Sequence, residues 1–236
     1  MKIKTIKTSI FKEGDDLLAF IVRYIPRAKE DSVIVITSKI VALSERRTII
    51  LKSEKEREAL IKKESQFAIK TDFPNVWMTI RDGMIMANAG IDESNANWKT
   101  ILLPKDSYKT ASSLRKKLIK QYGVKNLGIL ITDSRLLPLR AGVAGVSIGY
   151  AGFRGIRDYR GKPDIFGRKL KMTRTDVADG LATAAVLFMG EGNERQPLAL
   201  ITDAPIVFAR KVDKKELLIS VQDDIYTPLF RKSPKK

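Results

Sequence analysis

Three short runs set carboxylates beside small or amide residues: Asn88-Ala-Gly-Ile-Asp92-Glu-Ser-Asn95, Thr132-Asp133-Ser134 and Met189-Gly190-Glu191-Gly192. The chain has no histidine and no cysteine. That removes imidazole proton transfer, thiolate nucleophiles, iron–sulfur ligation and the common zinc sites. Hard cations with oxygen ligands remain. Mg²⁺ or Mn²⁺ needs few carboxylates, keeps several waters and takes further ligands from substrate phosphates. Asp92, Asp133 and Glu191 are therefore candidate metal ligands, with the Ser134 hydroxyl as a further oxygen donor. Each has an ordinary alternative. Asp133-Ser134 could cap a helix, and Asp92-Glu-Ser-Asn could form an Asx turn. Taken singly, each favours that ordinary reading. Spacing alone leads no further than divalent-metal phosphate chemistry.

Cations accompany these stations. Lys39, Arg140, Arg157, Arg160 and Arg168 lie beside glycines or strand ends, where they could meet a phosphate or carboxylate. Arginine forks such groups bidentately, whereas lysine acts as a point charge. A solvated surface pair is the commoner fate. No G-x-x-x-x-G-K-[ST] run exists, which excludes a P-loop. The glycines at 142–145 and 149–152 match a dinucleotide fingerprint only if its spacing is bent.

The elements that must position these residues follow from hydrophobic periodicity. Residues 31–36 read as a buried strand with a polar end at Ser38-Lys39, and residues 127–132 as a second, with Asp133 at its C-terminal edge. Residues 53–70 read as a helix opened by a capping box of Ser53 and Glu56. After Leu102-Leu-Pro104 comes a clearer helix, with Ala111, Leu114, Leu118 and Tyr122 in one stripe and Gly123 closing it. Residues 142–155 read as one or two strands with close backbone approaches. Residues 176–189 read as a helix and 198–201 as a last core strand. The mixture predicts an α/β or α+β fold, formed as one unit over residues 1–236 or as two intimately joined lobes. Residues 231–236 are expected to be a frayed basic tail.

At 236 residues and 44% hydrophobic, the chain can bury a sizeable core. The lysine-rich start lacks an apolar signal segment, and no apolar run approaches the roughly 20 residues of a membrane span. A cytoplasmic protein with no membrane partner is expected. The net charge of +17 and pI near 10.0 suit a polyanionic partner or a merely solvated basic surface. Nucleic acid is thus admitted but not favoured, since no basic run is interleaved with stacking aromatics.

Together the stations resemble the coenzyme F420-0:γ-glutamyl ligase family. The resemblance runs in order through Asn88 to Asn95, Leu102-Leu-Pro104, Ile131-Thr-Asp133-Ser134 and Arg157-Asp-Tyr-Arg-Gly161. It continues through Asp164-Ile-Phe-Gly-Arg168, Val177-Ala-Asp179 and Met189-Gly-Glu-Gly192. A subgroup assigned to folate metabolism is similar in Asp133-Ser-Arg, Pro138-Leu-Arg140 and Asp223-Asp-Ile-Tyr-Thr-Pro-Leu229. The resemblance implies that GTP or ATP phosphorylates a substrate carboxylate. The amine of L-glutamate then attacks the acyl phosphate.

It further implies two divalent cations (Mg²⁺ or Mn²⁺), room for K⁺, a homodimer and an anionic small-molecule acceptor. Asp92, Asp133, Ser134 and Glu191 would be metal ligands. Ser38, Lys39, Asn95, Met189, Gly190, Gly192, Asn193 and Glu194 would form the nucleotide site, with Arg140 and Arg168 catalytic. Departures fall at other stations: Leu43 replaces a nucleotide-contacting lysine, Thr8-Ser-Ile-Phe11 a Leu-Pro loop, and Arg135-Leu-Leu-Pro138 a Phe-Gly-Arg-Pro stretch. The leading expectation is a metal-dependent γ-glutamyl ligase. Its alternatives are an RNA-associated protein on a repurposed fold, and a nucleotide- and metal-binding module without turnover.

Overall fold

A computed structural model describes residues 1–230; the tail at 231–236 lies outside the described residues. In chain order the elements are β1 (Lys2–Ile6), α1 (Leu17–Tyr24), β2 (Ser32–Thr37), α2 (Ser38–Ser44), β3 (Thr48–Ile49) and α3 (Glu54–Lys63). A hairpin series follows as β4 (Phe67–Lys70), β5 (Trp77–Arg81) and β6 (Met84–Ala87), then a single tight turn at Asn88–Gly90. The rest are β7 (Thr100–Ile101), α4 (Ser107–Tyr122), β8 (Leu127–Leu136), β9 (Val143–Ala151), β10 (Ile156–Asp158), β11 (Arg174–Asp176), α5 (Val177–Met189), β12 (Leu198–Thr202) and α6 (Thr227–Phe230). The fold is α+β, as the mixed pattern predicts.

Its centre is a five-stranded sheet ordered β1-β12-β2-β8-β9. Only β2 and β8 are parallel; the other neighbours run antiparallel. The run Val33-Ile34-Val35-Ile36 is fully buried because both faces of β2 are covered. Ile34 and Ile36 face a core with α1 and α4, while Val33 and Val35 face one with α5. Continuous apolar runs are what doubly covered strands require. Burial of each such side chain contributes about 1.5–3 kcal/mol.

Caps fix where the helices begin. Asp16 accepts from Leu18 N and Ala19 N, Ser53 from Glu56 N, Asp106 from Lys109 N and Asp176 from Asp179 N. Gly123 ends α4 in the left-handed region at φ 68°, as the sequence predicts. The helix expected over 53–70 is shorter. It stops at Lys63, where the Ser65 hydroxyl donates back to the Ile61 carbonyl at 2.8 Å. Phe67–Lys70 instead pairs antiparallel with β5, which gives its backbone groups partners that a lengthened, largely polar helix would offer without packing. The Ser38-Lys39 end, expected as a strand terminus, opens α2.

The glycines of β9 work as close approaches. A Cβ on Gly145 would lie 2.6 Å from Val186 Cβ, and one on Gly149 would lie 2.6 Å from Ser107 Cβ. The strand is thereby clasped between α5 and α4. Smaller sheets, β4-β5-β6 and β3-β7, come from the insertion between β2 and β8. Among the described residues no helix is long and apolar enough to cross a membrane.

Gly145→Ala should destabilise the fold by about 1–3 kcal/mol, because the methyl overpacks the β9–α5 contact. Equilibrium denaturation measures this, and an unchanged midpoint would show that α5 is free to shift.

Candidate functional site

The site begins with strand register. Parallel pairing sets Thr37 beside Thr132, so the next residues, Ser38 and Asp133, emerge side by side. Ser38 Oγ donates to Asp133 Oδ1 at 3.0 Å. Asp133 is not at a strand end as expected, since β8 continues to Leu136; it lies one residue past the end of its parallel neighbour. A helix-cap role for Asp133-Ser134 is thereby removed. Burial holds the Asp133 carboxyl above the usual carboxylate range, outweighing the opposing pull of Arg135 and Ser38; the Asp92 charge adds to the rise.

Ser134 follows Asp133 on β8 and makes its own contact. Its Oγ donates to Glu191 Oε1 at 2.6 Å, just beyond the end of α5. Gly190 ends that helix at φ 80°, and Gly192 N donates to Glu194 Oε2 at 2.8 Å. The Met189 side chain is buried in the α5-side core, so only its backbone is available to a nucleotide.

The Asn88–Asn95 run closes onto the same region. Asn88, Ala89 and Asn95 are non-glycine residues at φ 51°, 55° and 52°. The turn is held by Trp77 N donating to Asn88 Oδ1 and by Ala89 N donating to Thr79 Oγ1, both at 2.8 Å. Conformations this sparsely populated persist only where surroundings over-determine them, and they cluster at functional sites. Asp92 accepts from Ser94 N at 2.7 Å, which is the Asx turn, and also pairs with Lys39 Nζ at 2.7 Å. Lys39 Nζ further donates to the Ser94 carbonyl and hydroxyl at 2.7 and 3.0 Å. Burial alone would raise the Asp92 carboxyl, but Lys39 and Ser94 together hold it below its ordinary range. Asn95 Nδ2 donates to the Gly192 carbonyl at 3.2 Å, joining this loop to the Glu191 segment.

Three stations far apart in sequence are thus brought together. Among the described residues no three acidic groups gather into a metal cage, and the oxygen donors stand as adjacent pairs instead. Such a set, poor in carboxylates and rich in hydroxyls, fits a cation that keeps water and takes phosphate oxygens. A cleft of about 440 Å³ lined by Leu51, Lys52, Ser53, Glu54, Arg57, Asn75 and Glu93 borders the station through Glu93, the neighbour of Asp92.

Among the described residues no hydrogen bond or ion pair joins the expected catalytic arginines to these stations. Arg140 is exposed in the turn after β8, and its side chain has no hydrogen-bond or ion-pair partner among the described residues. Arg168 is exposed in the loop between β10 and β11, where its N–H donates to Asp164 Oδ1 at 2.9 Å. Asn193 is exposed. The guanidinium beside Asp133 is that of Arg135, which the sequence reading placed in a shared Asp133-Ser-Arg run and in a departure but gave no site role. Strand alternation was the signal that could have found it, because residues two apart share a face.

The candidate site thus sits in an α+β fold, where a hydroxyl and a carboxylate emerge side by side as the β2–β8 parallel pairing stops. Residues 5–203 match the family model described as F420-0:Gamma-glutamyl ligase, and the chain belongs to that family. It is 36% identical over 215 residues to the coenzyme F420:L-glutamate ligase of Methanococcus maripaludis strain C7, covering 84% of this chain and 86% of the relative. The Archaeoglobus fulgidus protein of the same name is 32% identical over 232 residues, covering 92% of each.

Replacing Lys39 with Met should raise the Asp92 titration point, because burial then acts without its opposing charge. Stability derived from the depressed carboxyl is present above the unfolded value near 4 and lost as pH falls through the folded one, so this acid-side loss should shrink in the variant. Carboxyl NMR titration of the metal-free protein checks this; an unmoved Asp92 would contradict the assigned pairing.

Proposed function

We propose that the protein is a divalent-metal- and nucleotide-dependent γ-glutamyl ligase. It joins L-glutamate to a small anionic carboxylic acid of the F420-0 or folate class. The observation that carries this reading is the meeting of Ser38, Asp133, Ser134 and Glu191 at the β2–β8 register, in a chain of this family. The names of the relatives, coenzyme F420:L-glutamate ligases, supply the reaction class.

The chemistry divides among the stations. Asp92, Asp133, Ser134 and Glu191 would hold Mg²⁺ or Mn²⁺, which when bound offsets negative charge on phosphate oxygens. Ser38 orients the Asp133 carboxylate by its hydrogen bond. Lys39 is held by Asp92 and the Ser94 carbonyl, so its charge is already positioned where a nucleotide phosphate would arrive. Asn95 fastens the loop to Gly192, which keeps backbone donors of the 190–194 segment beside that phosphate. Little covalent work falls to the protein in such a transfer; positioning and charge compensation dominate. The net charge of +17 would draw anionic substrates toward the site.

Asp133→Asn keeps the shape but removes the charge. Glutamate-dependent phosphate release should fall by about 10²–10³ with the melting temperature little changed, as for loss of a group that stabilises developing charge. Coupled phosphate assays with Mg²⁺, GTP or ATP, L-glutamate and F420-0 measure it. Full turnover in the variant would remove Asp133 from the site.

A further inference from the structure

Arg135 is only 5% exposed, yet its guanidinium is poorly satisfied. Nη1 reaches the Ile85 carbonyl at 3.5 Å, a marginal contact. Nη2 lies 3.9 Å from Asp133 Oδ2, an ion pair too long for a hydrogen bond. Nε and Nη2 have no hydrogen-bond partner among the described residues. Buried guanidinium donors left unpaired are costly, so their retention calls for a partner. The two free donors share one edge of the guanidinium, the edge that forks a planar carboxylate with two parallel N–H···O bonds.

The position sharpens the point. Asp133 and Arg135 lie two apart on one strand and share a face. If Asp133 engages a cation, Arg135 is left with the weaker pull of Asp179 and Asp82 against Arg81 and faces a positive neighbour, so an anion between them becomes favourable. A carboxylate forked on both oxygens has its lone pairs engaged and is a poor nucleophile. It therefore suits an orienting carboxylate better than the one to be activated.

From this geometry we infer that Arg135 is the receptor for the α-carboxylate of the incoming L-glutamate. The inference rests on the ligase reading above. In the amino acid, the α-carboxylate and the amine sit on one carbon. Anchoring the first on Arg135 fixes the second close to the Asp133 station, where the activated carboxyl would lie. The amine forms the new C–N bond, phosphate departs with the electrons of the acyl–oxygen bond, and the amine gives up one proton to solvent or phosphate. Arg135 is a binding and positioning residue in this scheme.

Calorimetric titration of the full chain with L-glutamate in Mg²⁺ tests it, beside the α-amide of glutamate, glutamine and inorganic phosphate. Arg135→Gln should weaken L-glutamate roughly ten- to a hundredfold. The wild type should reject the α-amide by a similar factor, and the variant should no longer discriminate. GTP binding should be unchanged. Arg135→Lys, which keeps the buried charge but loses the fork, should fall between them and decides the matter if Arg135→Gln does not fold.

Unchanged glutamate affinity in both variants, or equal loss of inorganic phosphate binding, would overturn the inference. So would discrimination against glutamine in place of the α-amide, or no glutamate binding by the wild type. Glutamate-dependent phosphate release by the wild type separates the two claims. If it persists while Arg135→Lys keeps wild-type affinity and selectivity, only the role of Arg135 fails; if it is absent, the ligase reading fails as well.

Discussion

The parallel pairing of β2 with β8 is the constraint on which the site depends. Its register places Thr37 against Thr132, and from that one alignment Ser38 meets Asp133. A slip by one residue would turn Asp133 to the opposite face and carry Ile129 and Ile131 out of their core. The fully buried runs of both strands oppose such a slip, so the apolar core and the polar site are set by the same pairing. Helix α5 then brings Glu191 to Ser134, because Gly145 admits the helix against β9 at backbone distance.

Electrostatics at the site follow from burial more than from charge count. Asp133 and Asp92 are both partly desolvated carboxylates, but their partners differ. Lys39 lies 2.7 Å from Asp92 and wins against burial, whereas Arg135 lies 3.9 Å from Asp133 and does not. Asp92 is thereby held below its ordinary range and Asp133 above it. Under the proposed function, a cation would gather at Asp133 while Lys39 would meet phosphate.

Much of the frame was legible in the sequence. The buried strand at 32–37, the capped helix at 107–122 and the helix ending at Met189 all declared themselves through periodicity, caps and glycines. Ser65 and the strand at Phe67–Lys70 were not legible, because a local helical pattern carried no word of the β5 partner that overrode it. The site was legible in its residue types but not in its contacts. Lys39 with Asp92, Asn95 with Gly192 and Ser134 with Glu191 are tertiary pairs that no spacing rule connects. Arg135 was hidden for another reason: attention to arginines beside glycines favoured Arg140 and Arg168, while strand parity favoured the residue two after Asp133.

Under the proposed function, these stations together form a glutamyl-transferring site. Mass spectrometry of the product after incubation with F420-0, L-glutamate, Mg²⁺ and GTP or ATP tests it most directly. The expected product is an acceptor heavier by one glutamyl residue, formed only when metal and nucleotide are both supplied. Absence of that product for F420-0 and for folate-class carboxylic acids alike, with no glutamate-dependent phosphate release, would contradict it.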